Sequence, residues 1–233
     1  METYEPTFDP YRDLKRGEQR KTEYRPGEWQ GRYCENSPFV RLGKMSAAIG
    51  PLDWINDPHL GRNYFGWGVG FSRLLETPIF KYGSISLDQL QDFRWFMCAA
   101  LVRGAWIDLC RDLDAKAIEI APVQVVCADD VRSIDEIYFW DVVRVIDAID
   151  WGRTKATVVK GEIDSRDYVY TTQMGSISLR SDIPRDTHLF RDRIRPDIVF
   201  CTRVFEQEAV RRGLKGFSVG ELYNNPNSGR AYF

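Results

Sequence analysis

The sequence is poor in the residues from which reactive centres are commonly built. It holds two histidines, His59 and His188, and neither lies near a cysteine in sequence. Its five cysteines (Cys34, Cys98, Cys110, Cys127, Cys201) are scattered, odd in number and never in a CxxC pair. Reduced, buried thiols are expected from that pattern, and a zinc site is not. No apolar stretch approaches the roughly 20 residues that span a bilayer, and residues 1–29 lack the apolar core of a secretory signal. The net charge is −2, too near zero for the basic field that nucleic acid attracts. The chain is therefore expected to act in the cytoplasm, with no nucleic acid, membrane, metal or other cofactor.

Motifs with known chemistry are missing too. There is no GxSxG elbow. The stretch GRNYFGWGVGF (61–71) is glycine-rich, but it lacks the Gly-Lys-Ser/Thr ending and the preceding strand of a phosphate loop. A nucleophile–base pair could be drawn only from Cys201 or Cys34 with His59 or His188. Cys201 ends an apolar run before a helix, whose dipole could lower its pKa; a small residue packed at a strand–helix junction is the simpler reading. His188, in a polar approach to a strand, reads as a surface or hydrogen-bonded residue. Asp129-Asp130, Asp135-Glu136 and the series Asp141, Asp147, Asp150 could form an acid/base or metal cluster. In a chain with 34 Asp and Glu they more simply form a solvated face, or an acidic patch that meets a basic partner.

What is present is material for a core: 43% hydrophobic residues, with 7 Trp, 11 Tyr and 13 Phe. Residues 1–36 are polar and read as an N-terminal arm; residues 37–233 read as a single α+β domain with a mainly antiparallel sheet. Within it a pattern recurs. Phe93–Val125 and Asp197–Leu222 each show an apolar run ending in Cys98 or Cys201, a helix-like stretch, and a second apolar run. A GSISL pentapeptide precedes each, at Gly83–Leu87 and Gly175–Leu179. This suggests a duplicated strand–helix–strand unit and two similar lobes, about 79–126 and 137–223, with Cys98 and Cys201 in equivalent places.

Ala99–Leu113 is predicted as a helix, because Val102, Ala105, Trp106, Leu109, Cys110 and Leu113 share one face at 3.6 periodicity. Trp106 lies at the centre of that face. Ala117–Val126 reads as an edge or bulged strand around Pro122. Ile137–Ile149 has strand-like content and enough length for a helix. Thr154–Ile163 and Tyr168–Thr172 read as strands joined through Asp164–Asp167. A helix over Arg203–Arg212 is capped by Thr202 and closed at Gly213; Phe217–Leu222 returns as a strand, and residues 223–233 read as an irregular tail. Tyr64, Phe65, Trp67 and Phe71 lie among glycines, where aromatics serve either as loop anchors for a partner or as a cover over the core.

Three segments carry a resemblance to a known family. One is MCAALVRGAWIDLCRDLDAKAIEIAPVQV, ending in Ala117-Ile118-Glu119-Ile120-Ala121-Pro122-Val123. Another is Val145-Ile146-Asp147-Ala148-Ile149-Asp150-Trp151. The last is HLFRDRIRPDIVFCTRVFEQEAVRRGLKGFSV. Together they span about residues 79–223 and resemble immunity family eleven of bacterial polymorphic-toxin systems; Cys201-Thr202-Arg203 departs from that family's Ser-Glu-Arg pattern. The resemblance implies a cytoplasmic protein that binds a cognate toxin effector, such as one delivered by type VI secretion, and supplies no catalytic residues. An effector adaptor or chaperone is the alternative, and a small Cys- or Asp-dependent enzyme a further one. The expected toxin-binding residues are Tyr64, Phe65 and Trp67 with Asp129, Asp130, Asp135 and Glu136.

Overall fold

A computed structural model describes residues 15, 19–21, 37–43, 52–54, 68–72, 74, 76–82, 91–96, 99–127, 136–154, 156–163, 166–174, 177–220, 222 and 230–232. In chain order the strands and helices are β1 (Gln19–Lys21), β2 (Phe39–Gly43), β3 (Leu52–Trp54), β4 (Ile79–Tyr82), β5 (Phe93–Phe96), β6 (Ala99–Arg103), α1 (Gly104–Asp114), β7 (Ile118–Pro122) and β8 (Gln124–Cys127). Then come β9 (Ile137–Val142), β10 (Val145–Ile146), β11 (Ala156–Ile163), β12 (Arg166–Met174), β13 (Leu189–Asp192), β14 (Val199–Thr202), α2 (Arg203–Arg211), β15 (Phe217–Gly220) and β16 (Arg230–Tyr232). The fold is α+β.

Among the described residues four sheets form, ordered β5-β6-β9-β7, β10-β13-β14-β2-β15-β16, β3-β4-β8 and β1-β11-β12. The pairs β10–β13 and β4–β8 are parallel; the others are antiparallel. The first two sheets and both helices enclose one core. Val102, Trp106, Leu109 and Trp140 from one side meet Val40, Val199, Phe205, Phe217 and Val219 from the other.

The expected helix over 99–113 begins five residues later than its periodicity suggested. Ala99–Val102 form a strand buried at every position, as a continuous apolar run allows when both faces are covered. Val102 lies in phase with the helical face by coincidence, for it reaches the same core from β6 as Trp106 does from α1. From Gly104 the pattern is helical: Trp106, Ile107, Leu109 and Cys110 are buried while Asp108, Arg111 and Asp112 are exposed. Trp106 is fully buried, its ring 4.5 Å from Phe93, 5.3 Å from Phe217 and 5.6 Å from Phe205.

Ala117–Val126, expected as a single strand, divides at Val123 into β7 and β8, which lie in different sheets; Pro122 ends β7, an edge strand whose pairing is to β9. Ile137–Val142 is a strand. β11 and β12 pair down to Ile163 opposite Arg166, so Arg166 and Asp167, expected in the turn, belong to β12. The Thr202 hydroxyl accepts the Phe205 N–H at 3.1 Å, and Gly213 closes α2 at φ +70°. The C-terminal tail differs from expectation: Arg230–Tyr232 pairs with β15.

The duplicated unit is present, in altered form. In each copy a strand (β6, β14) runs directly into a helix and on to a second strand (β7, β15). In each, both strands pair antiparallel with one central strand between them, β9 in the first and β2 in the second. The cysteines are not equivalent. Cys201 stands one residue before the N-cap Thr202, where the first copy has Val102 before Arg103. Cys98 falls earlier in sequence, between β5 and β6, outside the described residues. β9, grouped with the second lobe on sequence grounds, sits inside the first sheet.

Candidate functional site

The sequence raised two reactive arrangements, a thiol–imidazole pair and a carboxylate cluster, and the described residues hold some members of each. Cys201 and Cys110 are fully buried, and burial pushes both thiols well above the ordinary range; a thiol so held is not the nucleophilic thiolate at neutral pH. The His188 ring meets the Thr202 hydroxyl, Nδ1 to Oγ1 at 2.8 Å, and its backbone N–H donates to Asp114. Cys34 and His59 lie outside the described residues. The carboxylates differ in their surroundings. Asp150 is buried and accepts the Gly152 N–H at 3.1 Å, while Asp147 is exposed and 4.0 Å from Arg180. Among the described residues no group of three His, Cys, Asp or Glu side chains is arranged to hold a metal ion. Replacing Cys201 with alanine is expected to lower the thermal midpoint modestly and leave biological activity intact. Loss of activity in a normally folded variant would return weight to thiol chemistry.

Sequence reasoning missed a buried polar network, which now stands out. Asp141 sits in the apolar strand IYFWDV and is wholly buried. It receives the Arg191 guanidinium at 2.7 Å and the N–H groups of Gly68 and Gly70 at 2.9 and 3.1 Å. Arg191 is equally buried; it also donates to the carbonyls of Val142 and Pro196 and lies over the Trp95 ring. Burial raises the Asp141 carboxyl above its usual range, against the opposing pull of Arg191 and the two glycine N–H groups. Glu119, directly opposite Asp141 in the β7–β9 ladder, accepts the Phe71 N–H at 2.9 Å. Two neighbouring carboxylates thus grip the backbone of residues 68–71.

That grip explains two glycines. Gly68 and Gly70 have φ of +86° and +74°, and a Cβ on Gly70 would lie 1.9 Å from the Glu119 carboxylate. A side chain is excluded on both counts. Phe71, one of the loop aromatics, turns inward and stacks on Phe139 at 5.6 Å, so it is a cover for the core and not an anchor. Val69 between the glycines is 49% exposed, and Gly68 packs beside Val145, 41% exposed.

Of the expected binding residues, Glu136 is exposed in the turn that leads into β9. Tyr64, Phe65, Trp67, Asp129, Asp130 and Asp135 lie outside the described residues. The clamp holds residues 68–71, which directly follow Tyr64, Phe65 and Trp67 in sequence. Asp192 and Asp114 work in the same manner as Asp141. Asp192 accepts the N–H groups of Ala148, Ile149 and Ile194; Asp114 accepts those of His188 and Leu189 and pairs with Arg144 at 2.5 Å.

These features define an α+β scaffold whose buried charges hold backbone segments in place. The chain belongs to the Immunity protein family (Imm11), whose family model matches residues 25–224. The match starts well before residue 79, where the motif resemblance began, and so takes in β2, β3 and the glycine clamp. No curated protein matches the chain. Among the described residues no helix is long and apolar enough to cross a membrane.

Proposed function

We propose that this protein binds a cognate secreted toxin effector in the bacterial cytoplasm and neutralises it by covering its active site. The observation that carries this reading is membership of an immunity family over most of the chain. The buried network fits the same reading, since a binder benefits from backbone segments fixed before encounter. The recognition surface is assigned to Tyr64, Phe65 and Trp67, together with the exposed Val69 and Val145, with Asp129, Asp130, Asp135 and Glu136 supplying negative potential. Aromatic groups at a desolvated centre give most of an interface's energy, and complementary charge gives speed and selectivity. The acidic residues suit a toxin with a basic cleft.

The function is tested by co-expression with a candidate cognate toxin: growth is expected with the intact protein and arrest without it. The surface is tested by D129K/D130K/E136K. Charge reversal of three residues should slow toxin association by about tenfold or more at low salt and by less at high salt, because exposed charges are screened over about 10 Å at 0.1 M. An unchanged association rate in the folded triple variant would place the surface elsewhere.

A further inference from the structure

The correspondence between the two strand–helix–strand units extends through most of the chain. Trp106 and Phe205 both stand third in their helices, and their rings meet at 5.6 Å. β7 and β15 begin at the same distance after the helix start, Gly104 to Ile118 and Arg203 to Phe217. On one flank of the central strand, Val102 pairs with Tyr138 and Ala100 with Trp140, as Cys201 pairs with Val40 and Val199 with Leu42. On the other flank, Ile120 pairs with Trp140 as Val219 pairs with Leu42. Both flanks therefore equate Leu42 with Trp140, 98 residues later (140 − 42). A slip of one residue on either flank would break this agreement.

The small third sheet repeats as well. Leu52 pairs with Tyr82, and Ile149 bridges Leu179, each 97 residues on (149 − 52, 179 − 82). The segments are Leu52-Asp53-Trp54 and Ile149-Asp150-Trp151. Ile79 pairs with Gln124 in the first half, and in the second half the Ile177 N–H donates to the Leu222 carbonyl at 2.7 Å, so the corresponding segments are joined in both. The GSISL pentapeptides are not part of this correspondence. The first follows Tyr82 in sequence, whereas the second ends on Leu179, the counterpart of Tyr82.

We infer that the chain is a tandem duplication with a period of 97–99 residues (149 − 52 at the shortest, 205 − 106 at the longest) whose halves have exchanged their central strands. β2, from the N-terminal half, closes the sheet of the C-terminal half; β9, from the C-terminal half, closes the sheet of the N-terminal half. Side-chain size fixes which strand closes which sheet. The Trp140 ring lies 5.6 Å from Phe93, 6.4 Å from Trp95 and 6.0 Å from Trp106. Leu42 in its place would leave a cavity, and an indole in the Leu42 place would overpack the second sheet. Neither half is then a folding unit. Without β2, β14 and β15 would each expose an unpaired inner edge, so the two halves unfold together.

The exchange is tested in the full-length protein by cross-linking. Val40 lies opposite the native Cys201 with both side chains in the same core, and directly opposed strand residues are within disulfide reach. In V40C, mild oxidation should link the introduced thiol to Cys201 within one chain, as read by peptide mapping. In V40C/V102C/C201A no link between positions 40 and 102 should form, although an unexchanged arrangement would oppose them. Should V40C fail to fold, V102C/Y138C/C201A tests β9 in the first sheet in the same way. The equivalence of the halves is read from W106F/F205W: exchanging the paired rings should give a higher thermal midpoint than F205W alone. A 40–102 link, no link in folded V40C, or two separate unfolding transitions for the halves would overturn the inference.

Discussion

Trp106→Ala is expected to destabilise the protein by about 3–5 kcal/mol, the usual cost of truncating a large buried aromatic. The site gives reason for the upper part of that range. Trp106 is fully buried and stands between the two units, touching Phe93 and Trp140 of the first sheet and Phe205 and Phe217 of the second unit. A cavity there opens where both halves converge, and neither helix can close it without leaving its own sheet. Trp106→Phe should cost much less. The Trp106 indole N–H is buried with no acceptor among the described residues, and a buried unsatisfied donor costs about 1–3 kcal/mol. Removing it offsets part of the lost packing. Chemical unfolding followed by far-ultraviolet circular dichroism checks both variants. A W106A midpoint equal to that of the unsubstituted protein would refute the packing described for α1.

Arg191→Met should cost roughly 3–5 kcal/mol, since removing one partner of a buried ion pair leaves the other charge uncompensated. Three acceptors each lose a donor in that variant: the Asp141 carboxylate, which keeps only the Gly68 and Gly70 N–H groups, and the carbonyls of Val142 and Pro196. The deficit should depend on pH with a definite sign. Burial already raises the Asp141 carboxyl, and loss of Arg191, its main opposing charge, raises it further. A carboxyl whose folded pKa exceeds its unfolded value bears no penalty below the unfolded pKa and the full penalty above the folded one. The R191M deficit should therefore shrink as pH falls through the carboxylate range and be largest at neutral pH. R191M/D141N, which keeps an acceptor for Gly68 and Gly70 but removes the charge, should recover part of the loss and show a flatter pH dependence. A deficit that grows on acidification would contradict the account of this pair.

Local signals in the sequence were legible where the chemistry is local. Thr202 and Gly213 bracket α2 through a hydroxyl cap and a left-handed residue, both within one turn of the helix. Pro122 marks an edge because it has no N–H to give. The α+β class follows from mixed periodicities. Legibility failed where distant residues decide. Ala99–Val102 became a strand because β5 and β9 cover its two edges, and Val102 matched the helical phase by chance. Arg230–Tyr232 became a strand because β15 offers an open edge, which no residue in YNNPNSGRAYF announces. The carboxylate clamp joins residues 48 to 73 positions apart. Its one visible trace was an aspartate in the middle of an apolar strand, Asp141 in IYFWDV, and a buried carboxylate needs partners. The duplication was legible in the recurring strand–helix–strand pattern, not in GSISL, which stands at different places relative to Tyr82 and its counterpart Leu179; Leu52-Asp53-Trp54 and Ile149-Asp150-Trp151 are the matching segments.

The most direct measurement of the central claim is an inhibition titration. The proposed cognate toxin is purified, its activity measured, and the intact protein added in steps. The account predicts that activity falls to the background level at one equivalent, with a stable complex recovered by size exclusion. Full toxin activity at a tenfold excess of folded protein, or a complex in which the toxin remains fully active, would contradict it.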